Sequence, residues 1–555
     1  MKAALRFCAV LLCLCGAAIA ATPGAATFSD IHYESRSLNR ANDFDPARQF
    51  ENPILPGYYP DPSIERVGND YYLVNSSFAY FPGIPVWHST DLVHWKQIGN
   101  AIDRASQLDF SGLATSRGVF APDISHHAGT FYIVNTCVDC KGNFLITAQR
   151  PQGPWSDPVW LPFDGIDPSI FWDDDGRAYI VWNDAPQGAP LYDGHRAIWI
   201  QEFDPHTRGL KGSRKLIVNG GVDLSTKPVW IEGPHLYKVD GWYYLMAAEG
   251  GTSVNHSEVI LRSKDVWGPY EPWRGNPILT QRDLDPSRPN PITSAGHADL
   301  VQTPRGDWYA VFLATQPYAG DLYNTGRETF LLPVAWRADG ANRWPVILDH
   351  GKPIPFIADL PHGAQRGRRN SASTNGYNAM SWLQVRTPKA PFLTVGAGGR
   401  RVTLRALPEP LGDIRSTPAF TGQRQLHMNA RFTARVDFQP RLEGDRAGIL
   451  ALQNDDYYVF FGRARRDGRD VLEVTRRAGK SEPRDGVVLA SIPLPRGTPR
   501  LEMAISGGHA RFSQDGKIVA DNVDVTNLST NKAGGFVGTV IGLYAYGAKD
   551  TLAPE

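Results

Sequence analysis

The chain has 555 residues, of which 42% are hydrophobic and 11% aromatic, so it is long enough for more than one hydrophobic core and is neither disordered nor fibrous by composition. Lysine and arginine together number 57, as do aspartate and glutamate, and the formal net charge is zero. This balance gives no electrostatic reason to expect nucleic acid or an acidic membrane surface as a partner. We therefore expect an ordinary globular protein of two domains.

The amino terminus has the features of a secretory signal peptide, which we assign to residues 1–20. Basic residues precede an apolar run over residues 7–17, and residues 18–20 form the small-residue cleavage pattern Ala-Ile-Ala. Cys15 would suit a lipoprotein, but a leucine precedes it where a lipoprotein signal has a small residue. We expect cleavage and a periplasmic or secreted mature protein. No later stretch is apolar for long enough to span a membrane.

A short pattern that returns five times dominates the next part of the chain. Residues 21–48 carry no periodic pattern and are predicted to form an N-terminal arm. Over residues 49–355, a polar or small residue repeatedly stands just ahead of a strand, and a glycine turn and an aromatic strand follow. The copies begin at Asp61, Ala121, Asp167, Gly233 and His297. This repeat predicts a five-bladed β-propeller, whose innermost strands surround a central channel.

Equivalent positions of a propeller converge on its axis, so the repeat predicts a single site. Asp61, Asp167 and His297 occupy the repeated position, and in the fourth copy Glu232 stands one residue ahead of it. Two acids beside a glycosidic bond suffice for its hydrolysis, because one protonates the leaving oxygen and the other activates water or attacks the sugar. Asp61 and Glu232 are our candidates for this pair, and the charge of Asp167 would raise the pKa of Glu232. Taken singly, these acids would be interpreted as turn residues; the repeat favours a site.

Two cysteines remain after removal of the signal peptide. Cys137 and Cys140 follow the predicted second-blade strand over residues 131–135. Their spacing is compatible with a redox motif, half a zinc site or a local disulfide. In an oxidising compartment we expect the disulfide, which would stiffen this loop.

The composition changes over residues 356–376, where prolines, glycines, serines and arginines predict an exposed linker. The arginine cluster could be a nucleic-acid patch, but we interpret it as solvated. Residues 377–555 then show strand patterns without crossover helices, which predict an antiparallel β-sandwich. The fold class is therefore all-β, a five-bladed propeller followed by a sandwich. A carbohydrate-binding module, a stabilising partner and an active-site lid all remain open as roles for the sandwich.

The repeat segments resemble a known family. YYPDPSI, GVFAPD, GIDPSIFWDDDG, WIEGPHLYK, SAGHADLV and GRETF are similar to motifs of glycoside hydrolase family 43, and the C-terminal part resembles the concanavalin-like domain of that family's β-xylosidases. The resemblance implies an inverting hydrolase. It assigns Asp61 as general base, Asp167 as the residue that modulates the pKa of the acid, and Glu232 as general acid.

The same resemblance implies further site residues, one position at a time. Those that would contact substrate or support the site are Phe78, Phe120, Ala121, Thr252, His297, Arg327 and Phe536. No cofactor is implied as required, but in several members the equivalent histidine contacts a channel metal or its waters, which implies a structural calcium ion near His297. His297 could also be a hydrogen-bonded structural histidine, and Arg327 by itself would be interpreted as half of a surface ion pair. Phe120 stands where many relatives have tryptophan, and the cysteine loop is not a general feature of the family.

These inferences predict an exo-acting β-1,4-xylosidase that trims xylo-oligosaccharides from the non-reducing end. The alternative activity is that of an α-L-arabinofuranosidase, alone or in addition, because xylopyranose and arabinofuranose present similar hydroxyl layouts. An alternative from another class is a glycan-binding propeller without catalysis. Such a protein would be free to lose one of the three acids, and here all three are present.

Overall fold

The computed structural model describes residues 24–38, 44–340, 342–367 and 369–548, so the signal peptide assigned to residues 1–20 lies outside the described residues. The described chain is almost entirely β-structure. Its helices are one α-helical turn and three 3₁₀ turns: Thr530–Ala533, Leu224–Thr226, Ala397–Gly399 and Thr526–Leu528. Within the described ranges, no helix has the length and apolar character needed to cross a membrane.

Five antiparallel sheets form a propeller. The inner strand of each sheet contacts that of the next, and the fifth contacts the first, so the ring is closed and the predicted five-bladed propeller is confirmed. The inner strands are Ser63–Val67, Asp123–His127, Ile166–Trp172, Glu232–Val239 and Thr293–Gln302. The other strands, blade by blade, are Asp70–Val74, Gly83–Ser89 and Lys96–Ile102; Gly118–Val119, Thr130–Val138, Gly142–Ala148 and Val159–Trp160; Ala178–Asp184, Ala197–Asp204 and Gly209–Asn219; Trp242–Glu249, Ser257–Ser263, Glu271–Pro272 and Leu279–Thr280; Trp308–Thr315, Glu328–Asp339 and Asn342–Val346.

A glycine turn joins each inner strand to the strand that follows it in the chain and pairs with it. These glycines have φ between 65° and 92°, which glycine adopts without steric cost, and they are Gly68, Gly129, Gly176, Gly241 and Gly306. Buried apolar side chains fill the spaces between neighbouring blades, and one cluster, with Leu73 and Val311, joins the fifth blade to the first. Asn52 also closes the ring, because its side chain exchanges two hydrogen bonds of 3.0 Å with the backbone of Leu331.

Two packed sheets form the predicted β-sandwich, with a single apolar core between them. The strands of one sheet are Leu393–Val395, Arg401–Arg405, Ala25–Arg36, Asn429–Asp437, Arg500–Ser506, His509–Gln514 and Lys517–Asp524, with Ser371–Asn375 beside the third. The strands of the other are Val487–Pro493, Arg469–Ala478, Tyr457–Arg466, Arg446–Asn454, Val540–Tyr546, Ala419–Arg424, Trp382–Val385 and Tyr80–Phe81.

The structure corrects the prediction of an unpatterned N-terminal arm over residues 21–48. Ala25–Arg36 is a strand in the middle of the first sandwich sheet, paired with Arg401–Arg405 and Asn429–Asp437. Asp30 has φ of 49° and lies where the register shifts, so a bulge reverses the alternation of buried side chains halfway along the strand. This interruption hides the strand period in the sequence.

The linker predicted over residues 356–376 also contains ordered pairing. Ile357–Asp359 pairs with Gln49–Glu51, and Ser371–Asn375 pairs with the N-terminal strand Ala25–Arg36. The segments that enter and leave the propeller are therefore paired with each other, and the segments next to them in the chain are paired within the sandwich. The two domains interlock in this way.

Candidate active site

The structure brings all ten predicted site residues to one cavity. The cavity has a volume of about 400 Å³ and lies at the mouth of the propeller channel. Its walls include Asp61, Phe78, Phe120, Ala121, Asp167, Glu232, Thr252, His297, Arg327 and Phe536. Residues from all five blades and from the sandwich therefore meet there, as the repeat predicts for axial positions.

An unusual backbone conformation turns the repeated residues toward the axis. Asp61, Asp167 and His297 have φ of 51°, 55° and 53°, in the left-handed region that side chains other than glycine seldom adopt. The fourth blade has Gly233 in this conformation, with φ of 56°, and carries its acid one residue earlier as Glu232. The register shifts around this position in blades three, four and five, so a bulge accompanies the turn.

Asp61 is held by a dense set of hydrogen bonds. The Ser76 hydroxyl donates to Oδ2 at 2.5 Å, and Arg327 donates from Nη1 to Oδ1 at 3.0 Å and from Nη2 to Oδ2 at 3.4 Å. A two-pronged guanidinium contact fixes the plane of a carboxylate as well as its position. Asp61 therefore presents its oxygens in one orientation.

Arg327 also links Asp61 to the other walls of the cavity. Its Nη1 donates to the Thr252 hydroxyl at 2.9 Å, and its guanidinium lies over the ring of Phe536 at 5.3 Å from the centroid. Its side chain is buried, so the sequence-based alternative of a surface ion pair does not hold.

Asp167 and Glu232 have raised pKa values for the same two reasons. Burial, followed by the nearby charge of Asp61, raises the pKa of Asp167 to about 7, although the Gly233 N–H donates to its carboxyl at 3.3 Å. Burial, followed by the charges of Asp167 and Asp61, raises the pKa of Glu232 well above its usual range. The raised pKa favours the protonated form of Glu232, which a general acid needs.

His297 is a neutral, buried histidine beside Asp61. Burial lowers its pKa to about 4, and its Nδ1 lies 3.9 Å from Asp61 Oδ1. The ring packs against Gly233, where a Cβ would lie 2.8 Å from Nε2, so the glycine is required by this close approach as well as by its positive φ.

The calcium ion implied near His297 finds few oxygen ligands among these side chains. Ca²⁺ takes about six to eight oxygens, whereas the Asp61 carboxylate is already engaged by Ser76 and Arg327. These side chains alone do not complete the coordination of a calcium ion, so an ion here would need water ligands; it stays a prediction, and no catalytic step below depends on one.

A second group of ligand atoms lies further along the channel. Asp123, His235 and Asp299 bring one ligand atom each within 4.8 Å of one another. The two carboxylates already accept hydrogen bonds from the Ser63 hydroxyl and from backbone N–H groups of neighbouring inner strands. We interpret this group as a hydrogen-bonded tie between the blades.

Three phenylalanines form the apolar wall of the cavity. Phe78, Phe120 and Phe536 contact one another with ring centroids 5.5 to 6.1 Å apart. Phe536 comes from the sandwich, and its backbone N–H donates to the Ser116 hydroxyl at 2.9 Å. A Cβ on Gly535 would lie 2.3 Å from the same hydroxyl oxygen, so only glycine allows this approach. The sandwich thus supplies part of the pocket wall.

Five further residues of the cavity wall were missed from the sequence: Arg117, Ile166, Val229, Trp230 and Gly251. For Trp230 the sequence offers one signal, its position two residues before Glu232. In the structure its indole hydrogen-bonds the Glu232 carboxyl, and its φ is 59°. Arg117 had no signal of its own, because it precedes a repeat copy in a loop. Its partner is Asp139, which lies between Cys137 and Cys140, and these two cysteines form a disulfide.

Comparisons with known proteins agree with this geometry. Residues 50–342 match the model of glycosyl hydrolases family 43, and residues 374–554 match that of the β-xylosidase C-terminal concanavalin A-like domain. The chain belongs to glycoside hydrolase family 43. It is an enzyme of the xylosidase and arabinosidase type, and the alternative of a propeller without catalysis does not hold.

Three relatives illustrate the match. A xylosidase/arabinosidase of Butyrivibrio fibrisolvens is 38% identical, over 89% of this chain and 95% of the relative. A non-reducing end α-L-arabinofuranosidase of Bacteroides ovatus is 37% identical, over 90% and 92%. The crystal structure of a family member retrieved from a capybara gut metagenome has a TM-score of 0.85 at 38% identity and covers 94% of this chain and 99% of that one.

Proposed function

We propose that this family 43 enzyme is an exo-acting, inverting glycosidase that removes terminal β-1,4-linked xylose from xylo-oligosaccharides. The proposal rests on the contrast between the two acids: Asp61 accepts hydrogen bonds from Arg327 and Ser76, whereas burial and the charges of Asp167 and Asp61 raise the pKa of Glu232. One cavity therefore contains a base and an acid.

In the proposed reaction, Glu232 donates its proton to the glycosidic oxygen as the bond from that oxygen to the anomeric carbon breaks. Asp61 accepts a proton from a water molecule, whose oxygen forms the new bond on the opposite face of the sugar. Arg327 and Thr252 would bind hydroxyls of the sugar. The carboxyl of Asp167 would keep the pKa of Glu232 high between turnovers.

The wall supplied by Phe536 supports attack at a chain end. A sandwich segment that covers one side of the cavity suits a pocket for a terminal sugar better than a groove open at both ends. The phenylalanine rings offer the flat apolar surface on which the C–H face of a sugar packs.

A second candidate activity is α-L-arabinofuranosidase, and the names of two relatives with similar identity favour it. The experiment that separates the two activities compares the release of nitrophenol from the β-D-xyloside and the α-L-arabinofuranoside. A higher kcat/KM on the xyloside supports the first candidate, and the reverse supports the second. Absence of turnover on both would contradict the proposal.

We also propose secretion after cleavage of residues 1–20. N-terminal sequencing of the mature protein from the source cells tests it. A mature protein that begins at Met1 would contradict it.

A further inference from the structure

A second cavity adjoins the mouth of the active-site pocket. It has a volume of about 480 Å³ and lies between residues 136–143 and residues 161–166. Ile166 belongs to the walls of both cavities. Because Phe536 covers the sandwich side of the pocket, a substrate longer than the pocket can extend past Ile166 into this groove.

Arg117 and Asp139 stand between the two cavities. Arg117 lines the pocket, and Asp139 lines the groove. Arg117 donates from Nε and Nη2 to the two carboxylate oxygens of Asp139, at 2.6 and 3.0 Å, and its guanidinium lies 5.9 Å from the centroid of Phe120. Its Nη1 donates to no residue within the described part of the chain.

Stability does not explain why this guanidinium is fixed. The side chains are 39% and 56% exposed, and an ion pair at such exposure contributes little to the free energy of unfolding. A fixed guanidinium with a spare donor, placed at the mouth of a sugar pocket, is instead suited to binding an oxygen of the ligand.

The disulfide holds the Arg117–Asp139 ion pair beside the pocket. Cys137 pairs in register with Val119, and Val138 pairs with Gly118, which follows Arg117 directly. Cys137 and Cys140 are bonded, so the turn that presents Asp139 is closed onto the same strand. Gly118 in turn approaches Phe78 so closely that a Cβ would lie 2.8 Å from the Phe78 carbonyl oxygen. The disulfide loop, Arg117 and the pocket wall therefore form one rigid unit.

We propose that Arg117 and this groove form the subsite for the leaving-group sugar, with Arg117 Nη1 donating a hydrogen bond to one of its hydroxyls. The ligand is the second sugar of the oligosaccharide, and the inference rests on the proposed function. Asp139 and the Cys137–Cys140 disulfide are positioning elements, since they hold the guanidinium without reaching the substrate.

The test uses the full-length enzyme and two substrates of whichever pentose it prefers: the disaccharide, whose leaving group carries hydroxyls, and the nitrophenyl glycoside, whose leaving group carries none. Arg117→Met keeps a long side chain against Phe120 and removes the donors. We expect the ratio of kcat/KM on the disaccharide to that on the nitrophenyl glycoside to fall about tenfold, as for one lost charge-assisted hydrogen bond. Asp139→Asn should lower the ratio in the same direction by a smaller factor.

Arg511→Met is the matched control. Arg511 makes the same two-pronged contact with Asp521, at 2.8 and 3.0 Å, on a sandwich strand, and we expect an unchanged ratio. An Arg117→Met enzyme with an unchanged ratio, or with equal losses on both substrates, would overturn the subsite while the proposed function stands. A wild-type enzyme that hydrolyses neither substrate would overturn both.

Discussion

At the scale of single residues, the proposed function depends on the different environments that the fold gives to the carboxyls of Asp61 and Glu232. Asp61 accepts hydrogen bonds from an arginine and a serine, whereas Glu232 is buried beside two other acids. The first environment fixes the orientation of the Asp61 carboxyl, and the second raises the pKa of Glu232, which favours its protonated form. The one-residue offset of Glu232 leaves Gly233 at the left-handed position, where His297 needs the space.

The first prediction concerns Glu232 as the general acid. Glu232→Ala should lower kcat/KM on xylobiose by about 10²- to 10⁴-fold, the usual contribution of a general acid. Nitrophenyl glycosides should lose much less, because an activated phenolate leaves without a proton. Steady-state rates on the two substrates check this, and equal losses would contradict the assignment.

The second prediction concerns Asp167 and pH. Burial and then the charge of Asp167 raise the pKa of Glu232, so Asp167→Asn should lower that pKa. Glu232 then loses its proton at lower pH, and the alkaline limb of kcat/KM on xylobiose should move to lower pH. A pH profile of variant and wild type measures this. An alkaline limb that stays in place or moves upward would show that Asp167 does not act through Glu232.

At the scale of elements, the parts predicted from the sequence are those with local signals that repeat. The turn glycines and the residue ahead of each inner strand recur in every blade, so the propeller and its axial acids could be found from the chain alone. The strand Ala25–Arg36 could not, because a bulge at Asp30 breaks its alternation and its partners lie hundreds of residues away. Arg117 was missed for a similar reason, since its role arises from a contact with Asp139 across two strands.

The third prediction concerns the sandwich segment that carries Phe536. Phe536→Ala should lower kcat/KM on the disaccharide about 10- to 100-fold, because the ring packs against Phe78 and Arg327 and keeps the sugar in place. Ile518→Ala, on an exposed side chain of the same domain, is the control and should be neutral. A Phe536→Ala enzyme with unchanged kcat/KM would mean that the sandwich is not part of the site.

At the scale of the whole molecule, the two domains form one enzyme. Tyr80–Phe81 of the propeller pairs with Trp382–Val385 of the sandwich, and the N-terminal strand belongs to the sandwich sheet although it precedes the propeller. Because the pocket takes residues from both domains, its geometry depends on the whole fold.

The fourth prediction concerns stability and pH. Burial raises the pKa of Glu328 to about 8 and, with nearby acids, that of Glu65 to about 8, while that of Asp167 rises to about 7. In the unfolded chain a glutamate carboxyl loses its proton near pH 4.5. Between about pH 4.5 and pH 8 the folded protein therefore binds more protons than the unfolded chain, and the free energy of unfolding falls as the pH rises through that range. His256 and His297 have lowered pKa values and act in the opposite direction, but only below about pH 6.5.

The melting temperature should therefore fall from pH 6.5 to pH 8, as thermal unfolding at several pH values would show. Glu328→Gln removes one of the raised carboxyls and should make the fall shallower. A melting temperature that rises over this window would contradict the assignment of protonated buried acids.

We propose that Asp61 activates water while Glu232 protonates the leaving oxygen, so that the configuration of the anomeric carbon is inverted in one step. Proton NMR of the first product formed from a β-xyloside tests this directly, because the two anomers of xylose have separate signals before they equilibrate. Inversion of a β-xyloside gives α-xylose first, and this is the result we expect. Initial appearance of β-xylose would mean that a carboxylate attacks the sugar, and it would rule out the roles proposed for Asp61 and Glu232.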